Sequence, residues 1–343
     1  MTRRPTSRLL ALGALLLAVA ACGSDDDAGG SGSSSDGSGS GIEAVTVVLD
    51  WSPYTNHNGV YLAQAEGWYE DAGLDVEIIE PGDVGSVQLL ASGQADVGFT
   101  VQEELVPARA QGVPVVAVAA VIEHNTSSLV SLATEGITRP RDLEGKAYGG
   151  FGGALEQALV ETLVECDGGD PAQVRYVDVG DADYRVGMER DQYDVVWIFD
   201  GWDGIRYSEV DGLDIDSIPF VEHDDCIPDW YTPILAASED ALAEQPEVMR
   251  SFMDVTARGY REAMADPEAA ADALLDAVPE LDRQLVEASS EFLATRYASS
   301  PEAWGRIDAD RWAAFVDFLV EAEIVEEAGD VEAGYTDDLL PGD

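Results

Sequence analysis

The fold of this chain is decided around residues 49–59, which read Leu49-Asp50-Trp51-Ser52-Pro53-Tyr54-Thr55-Asn56-His57-Asn58-Gly59. The apolar run just before this stretch, residues 45–48, predicts a β-strand, and a helix-like pattern follows it over residues 60–68. Open α/β sheets place small ligands at the carboxyl ends of their strands. The turn is therefore a candidate ligand site, with Trp51, Asn56 and His57 as its candidate side chains.

Strand and helix patterns alternate along most of the remaining chain. From Glu239 onward the pattern is helical, with breaks at Pro279 and between Ser299 and Ile307. Such alternation predicts parallel α/β sheets whose faces are covered by helices. The predicted strands are Val45–Trp51, Asp75–Glu80, Ala95–Val101, Val113–Val121, Leu129–Ala133, Ala147–Phe151, Val174–Val179, Asp194–Phe199 and Thr232–Ser238.

The N-terminus has the pattern of an export signal. Three arginines precede an apolar run, Leu9 to Ala21, that is too short for a permanent membrane span. Small residues then lead to Cys22, which resembles a bacterial lipidation site; an ordinary secretory signal cleaved near Ala21 is the alternative. The Gly-, Ser- and Asp-rich residues that follow are typical of a flexible tether. We expect a signal peptide at 1–21, a tether at 22–42 and an extracytoplasmic, membrane-anchored protein.

The charge of the chain limits its partners. It has 68 acidic residues against 18 basic ones, a net charge of -50. Without a basic patch to neutralise phosphates, nucleic acid is excluded as a partner. An anionic ligand would be repelled unless local arginines compensated. The acid excess also fits a salt-rich or alkaline habitat, where ions screen self-repulsion.

Cysteine and histidine usage is sparse. In an oxidising compartment Cys166 and Cys226 either form a disulfide or remain two free buried thiols, and the sequence leaves both open. The three histidines are scattered, with no metal-ligand spacing. We expect no metal site.

Several blocks of the sequence carry a family resemblance. Besides the opening turn, they are Gly67 to Ile79, Trp197 to Gly204, Asp229 to Pro233, Trp304-Gly305 and Tyr335 to Leu339. In content and order these blocks resemble solute-binding proteins of the thiamine-pyrimidine-precursor family, which are related to SsuA-type binding proteins and to the fungal thiamine pyrimidine synthases. The resemblance runs from about Val45 to Pro341.

The resemblance implies an α/β type II periplasmic-binding fold. In that fold two lobes are joined by a two-segment hinge and close around a ligand. Lobe one would comprise residues 43–128 and 233–343, with a helical C-terminal part, and lobe two residues 129–232. The expected partners are a small heteroaromatic ligand and an ABC permease in the membrane; we expect a monomer without a cofactor.

More candidate ligand-binding residues lie at other predicted strand ends. Some follow from their position after a strand or at a helix start, where backbone amides attract polar groups; others follow from the resemblance. The glycine-rich turn at 148–153 would also let backbone approach a ligand closely. The candidates are Gln102, Glu103, Asn125, Ser127, Phe151, Gly152, Glu156, Asp200, Trp202 and Tyr231.

Aromatic, amide and carboxylate groups together suit a flat, neutral or cationic heterocycle with exocyclic amines. The resemblance implies a thiamine pyrimidine precursor of the formylaminopyrimidine or hydroxymethylpyrimidine type, imported without chemical change. Another flat heterocycle such as riboflavin, or a structural role, are alternatives. An enzymatic role is disfavoured, because the synthases bind pyridoxal phosphate through a lysine where this chain has Thr100, and their histidine falls on Glu104. A Schiff base needs the amine.

Overall fold

The computed structural model describes residues 42–180, 183–328 and 334–342. Cys22, the export signal and all but the last residue of the tether lie outside these residues. The ten strands are β1 (Glu43–Val48), β2 (Leu74–Ile79), β3 (Val97–Thr100), β4 (Val115–Ala120), β5 (Ser127–Leu132), β6 (Ala147–Gly150), β7 (Arg175–Asp178), β8 (Val195–Phe199), β9 (Ile215–Pro219) and β10 (Ile234–Ser238).

The strands form two five-stranded sheets. Sheet one has the order β2-β1-β3-β10-β4, and sheet two has the order β7-β6-β8-β5-β9. In sheet one β10 runs antiparallel to its neighbours β3 and β4. In sheet two β5 runs antiparallel to β8 and β9. The sheets are therefore mixed, and not purely parallel as the alternation predicted.

Every predicted strand is present, and one strand was not predicted. That strand is β9, Ile215–Pro219, which pairs with β5 at the edge of sheet two. The apolar run at 113–122 gives β4, all of whose residues are buried, as expected of a central strand.

The helices surround both sheets, and the chain after β10 is helical as predicted. They are α1 (Asn58–Ala65), α2 (Trp68–Asp71), α3 (Ser86–Ala91), α4 (Gln102–Ala110), α5 (Ala154–Cys166), α6 (Tyr184–Glu189), α7 (Glu239–Glu244), α8 (Pro246–Ala265), α9 (Pro267–Ala277), α10 (Arg283–Ala294) and α11 (Ala309–Glu321). After β8 the chain forms a π-helical segment, Asp200–Gly204 followed by Arg206–Val210. In the described ranges, no helix combines the length and apolar character needed to cross a membrane.

Two stretches of chain connect the sheets. The first crossing segment, residues 121–126, leads from β4 to β5, and the second crossing segment, residues 220–233, leads from β9 to β10. Thr100 and Ala120 both pair with Ile234, while Ser127 pairs with Phe199 at the end of β8. Both crossings therefore join the carboxyl edge of sheet one to the carboxyl edge of sheet two, and these two edges face each other.

The core continues across the second crossing segment. Trp230 is fully buried and stacks on Phe315 of α11, with ring centroids 4.9 Å apart. Its ring also meets Trp197 of β8 edge-on. One apolar cluster thus includes residues of both sheets.

Candidate functional site

The turn after β1 is organised around Asp50. The backbone N–H of Tyr54 donates to Nδ1 of His57 over 3.3 Å, so the proton of the neutral ring lies on Nε2. That nitrogen donates to Oδ1 of Asp50 over 2.7 Å. Because His57 is fully buried, it orients the Asp50 carboxylate and does not face the space between the sheets.

Tyr54 and Asn56 complete this arrangement. The Tyr54 hydroxyl donates to Oδ2 of Asp50 over 2.9 Å, and Nδ2 of Asn56 donates to the Tyr54 hydroxyl over 2.9 Å. Burial, together with the Asp50 carboxylate, raises the pKa of Tyr54 well above its usual value. Sequence reasoning selected Asn56 and His57 but missed Asp50 and Tyr54. The missed signal was position, because Asp50 lies two residues past the end of β1, much as Asp200 comes directly after β8.

Glu104 adds a second carboxylate at this edge. It lies in the first turn of α4, directly after β3. Desolvation, and after it the nearby charge of Asp50, raise the pKa of Glu104. The carboxyl edge of sheet one is therefore acidic.

The segment after β8 contacts the turn that contains Asp50. Ser128 Oγ donates to Oδ2 of Asp200 over 2.6 Å, and burial raises the pKa of Asp200 to about 6. The Trp202 ring lies edge-on to Tyr54, with centroids 5.8 Å apart. The structure thus brings two predicted site blocks, one from each sheet, into direct contact.

A buried hydrogen-bond chain fixes this contact. The hydroxyls of Thr55 and Ser289 are 2.5 Å apart, and Ser289 donates to the carbonyl of Gly201. Ser289 belongs to α10, so this helix links the turn after β1 to the π-helical segment. The position of Trp202 is consequently set by residues of both sheets.

Gln102 and Tyr231 support the second crossing segment. Gln102 Oε1 accepts from the backbone N–H of Tyr231 over 3.0 Å, and its Nε2 donates to the carbonyl of Trp312 over 3.2 Å. The Tyr231 hydroxyl accepts from the N–H of Asp308 over 2.7 Å. Both side chains are fully or almost fully buried, so their polar groups serve packing between the sheets.

Glu103 holds the same segment. Its Oε2 accepts from Trp230 Nε1 over 3.0 Å, and its Oε1 accepts from the Thr232 hydroxyl over 3.2 Å. Burial is the main cause that raises the pKa of Glu103 to about 8. The sequence placed Glu103 at a helix start, which is right, but its partners lie far away in the chain.

Glu156 caps its own helix. Its carboxylate accepts from the Tyr148 hydroxyl and from the backbone N–H groups of Phe151 and Gly153. The contacts of Glu156 thus lie in the glycine-rich turn between β6 and α5, and its predicted contact with an aminopyrimidine stays a prediction. Gly152 in that turn has φ +75, a left-handed conformation that favours glycine.

Two large aromatic side chains are exposed at the facing edges. Trp51 follows β1 and is 59% exposed, and Phe151 follows β6 and is 57% exposed. They belong to different sheets. Both were predicted to contact the ligand, and both have the free surface that such contact requires.

Two buried polar atoms at these edges have no hydrogen-bond partner within the described part of the chain. They are Asn125 Nδ2 and Ser127 Oγ. Asn125 is oriented by its other atoms: its N–H donates to Asp229 and its Oδ1 accepts from the N–H of Ser127. An unpaired buried polar group costs ~1–3 kcal/mol, so a ligand group that hydrogen-bonded to either atom would stabilise the structure.

Cys166 and Cys226, the cysteines among the described residues, form a disulfide and not a metal site. Cys166 and Cys226 are joined by a disulfide with Cα atoms 5.7 Å apart. Asp225 lies beside them, but sulfurs bonded to each other do not supply thiolate ligands.

The family follows from a sequence match. The family model described as NMT1/THI5 like matches residues 54–270, which include the Asp50 turn from Tyr54 onward and the whole of sheet two. The chain belongs to the NMT1/THI5-like family.

Relatives within this family carry two kinds of name. The formylaminopyrimidine-binding protein of Halalkalibacterium halodurans is 27% identical, over 93% of this chain and 95% of that protein. A 4-amino-5-hydroxymethyl-2-methylpyrimidine phosphate synthase of Legionella pneumophila is 26% identical, over 87% and 92% of the two chains.

Solved structures identify the fold of this NMT1/THI5-like chain. The alkanesulfonate-binding protein SsuA from Xanthomonas axonopodis pv. citri superposes with a TM-score of 0.65 at 14% identity, covering 86% of this chain and 99% of that one. SsuA from Escherichia coli gives a TM-score of 0.66 at 14% identity, with coverage of 88% and 94%. The predicted type II periplasmic-binding fold is confirmed.

Proposed function

We propose that this protein is the solute-binding component of an ABC importer and captures a flat aminoheterocycle between its two sheets. Asn125 Nδ2 and Ser127 Oγ carry the proposal, since they are buried without a hydrogen-bond partner among the described residues and lie where the first crossing segment meets sheet two, so that polar groups of a ligand between the facing edges could pair with them. The predicted lobes, 43–128 with 233–343 and 129–232, would close by bending at the crossing segments. β5 begins at Ser127, two residues before the predicted start of lobe two.

The ligand proposed is a thiamine pyrimidine precursor of the formylaminopyrimidine or hydroxymethylpyrimidine type. The acidic edge formed by Asp50 and Glu104 favours a ligand with amino donors or a positive charge. The exposed rings of Trp51 and Phe151 offer faces for stacking. The name of the Halalkalibacterium halodurans relative supports the same class.

The synthase alternative is disfavoured on chemical grounds. By the family resemblance Thr100 stands where those enzymes carry the lysine, and a hydroxyl forms no imine. Lys146, the sole lysine, donates to Glu135 over 2.7 Å. The residues present do not fit pyridoxal phosphate bound through lysine, which supports capture without chemistry. Export and anchoring through Cys22 belong to the same proposal and place capture outside the cytoplasm.

A fluorescence titration of the purified protein with formylaminopyrimidine at high salt tests the proposal. We expect saturation at a dissociation constant of ~1 µM or below. Trp202→Ala should weaken binding at least ~10-fold, which corresponds to ~1.4 kcal/mol, because the ring that meets Tyr54 is lost. Trp68→Ala removes a tryptophan that stacks under Arg258 on α8, and should leave affinity unchanged.

Two results would contradict the proposal. If the folded protein shows no saturable fluorescence change with formylaminopyrimidine, this ligand is ruled out. Riboflavin is then the next ligand to titrate. Equal affinity in the Trp202→Ala and Trp68→Ala variants moves the site away from the facing edges.

A further inference from the structure

We infer that Glu156 determines ligand specificity by exclusion: its carboxylate occupies the N-terminus of α5 and makes the site reject oxyanions such as sulfonates and phosphates. The inference rests on the proposed function in one respect only, that ligands enter between the two facing edges.

The carboxylate uses the donors that an oxyanion would need. Tyr148 donates its hydroxyl to Oε1 over 2.9 Å, the Phe151 N–H donates to Oε1 over 3.2 Å and the Gly153 N–H donates to Oε2 over 3.1 Å. Backbone N–H groups at a helix N-terminus attract anions, and a glycine-rich turn before a helix commonly cradles phosphate. Here the anion is part of the protein.

The glycines of the turn fit this carboxylate. A Cβ on Gly150 would lie 2.4 Å from Glu156 Oε1 and 2.7 Å from Tyr148 Cε1. A side chain at position 150 would therefore displace the Glu156 carboxylate and the Tyr148 ring from their present positions. The turn is packed around an internal anion.

A second carboxylate lies beside the turn. Asp178 ends β7, and its side chain is within 3.5 Å of the Cβ position at Gly152. Within residues 42–180, 183–328 and 334–342, neither Glu156 nor Asp178 forms an ion pair with a lysine or arginine. An oxyanion approaching α5 would thus meet two carboxylates without a compensating cation, in a chain of net charge -50.

The fold alone does not impose this selectivity. A solved protein of the same fold is an alkanesulfonate-binding protein bound to MOPS. In this chain the glycine-rich turn would have the shape for an oxyanion, but Glu156 already supplies the negative charge. Selection against anions complements the acidic edge at Asp50 and Glu104, which favours amino donors.

The test is calorimetric titration of inorganic phosphate and, separately, ethanesulfonate into three proteins at constant ionic strength: unmodified, Glu156→Ala and Glu165→Ala. Glu165 is an exposed residue near the other end of α5, so its variant carries the same change in net charge. We expect the Glu156→Ala variant to bind at least one of the two anions at least ~10-fold more tightly than the other two proteins. Glu156→Ser, which keeps a hydroxyl for the turn, provides a second variant if the alanine variant does not fold.

Three outcomes overturn the inference. They are folded Glu156 variants that gain no anion affinity, an equal gain in Glu165→Ala, and tight anion binding by the unmodified protein. Formylaminopyrimidine is titrated into the unmodified protein in the same series. Its failure to bind contradicts the proposed ligand, while the comparison of anion affinity among the variants still decides the role of Glu156.

Discussion

At the scale of single residues, the polar side chains of the site hydrogen-bond to one another. The sequence predicts His57 and Asn56 as ligand contacts, and in the structure His57 donates to Asp50 and Asn56 donates to Tyr54. The sequence places such groups correctly at strand ends. It cannot assign their partners, because those partners are distant in the chain: Glu103 accepts from Trp230, 127 residues away.

The buried carboxyl of Glu103 predicts a dependence of stability on pH. Burial raises the pKa of Glu103 to about 8, so the folded protein holds this proton more tightly than the unfolded chain. The stability that this group contributes is full below its unfolded pKa of ~4.3 and is lost as pH rises through about 8.

Glu103→Gln removes this titration while keeping an acceptor for Trp230. We expect the variant to gain ~4 kcal/mol in the free energy of unfolding relative to the unmodified protein between about pH 5 and pH 9, measured by urea unfolding at both pH values. Glu66→Gln, at an exposed position, is the control and should show no pH-dependent gain. Parallel pH profiles for the unmodified protein and Glu103→Gln would contradict this account.

At the scale of elements, the sequence pattern predicts a strand most clearly where every residue of that strand is buried. β4 is buried throughout and its apolar run is unmistakable. β9 was missed because its sequence, Ile215-Asp216-Ser217-Ile218-Pro219, is short, carries a charge and ends in proline, which sheets tolerate at edges. Its strand conformation depends on pairing with β5, a long-range contact that local sequence does not reveal.

Helices α1 and α8 cross so closely that the contact requires glycine. A Cβ on Gly259 would lie 2.0 Å from the carbonyl oxygen of Gly59, and one on Gly59 would lie 2.3 Å from the Tyr260 ring. Gly259→Ala must therefore push the helices apart. We expect a loss of ~2 kcal/mol in the free energy of unfolding, within the range for overpacked cores.

Thermal or urea unfolding of Gly259→Ala measures this loss. Gly153→Ala serves as the comparison, because its Cβ would meet no atom closer than 3.8 Å and Gly153 has a negative φ. The close-crossing account fails if both variants unfold at the same midpoint.

At the scale of the whole molecule, self-repulsion opposes folding. With a net charge of -50, the compact chain holds like charges close together, and salt reduces that repulsion by shortening the Debye length from ~10 Å at 0.1 M to ~3 Å at 1 M. We expect the unfolding midpoint to rise by at least ~5 °C over this range.

Thermal scans in NaCl and in KCl give the measurement, and equal rises in the two salts would identify screening as the cause. A midpoint that stays flat or falls in both salts would show that self-repulsion does not limit stability.

The two-sheet plan was also predictable at this scale, through the family resemblance and the alternation of patterns. The contact between Trp202 and Tyr54 was not, because it depends on a π-helical segment and on Ser289 of α10. Each of the two sequence blocks can be recognised from its own residues. The distance between Trp202 and Tyr54 is set only by the packing of the folded chain.

The disulfide between Cys166 and Cys226 has a mechanical consequence. It fastens the second crossing segment to the end of α5 at residue 226, so the part of the segment before that residue moves together with sheet two. If the sheets rotate as proposed, the rotation falls on backbone torsions in residues 227–229 and 121–126, because residues 230–232 are hydrogen-bonded to Gln102 and Glu103 beside sheet one. The covalent link would then confine the bending to two short stretches of chain and reduce the angle of rotation.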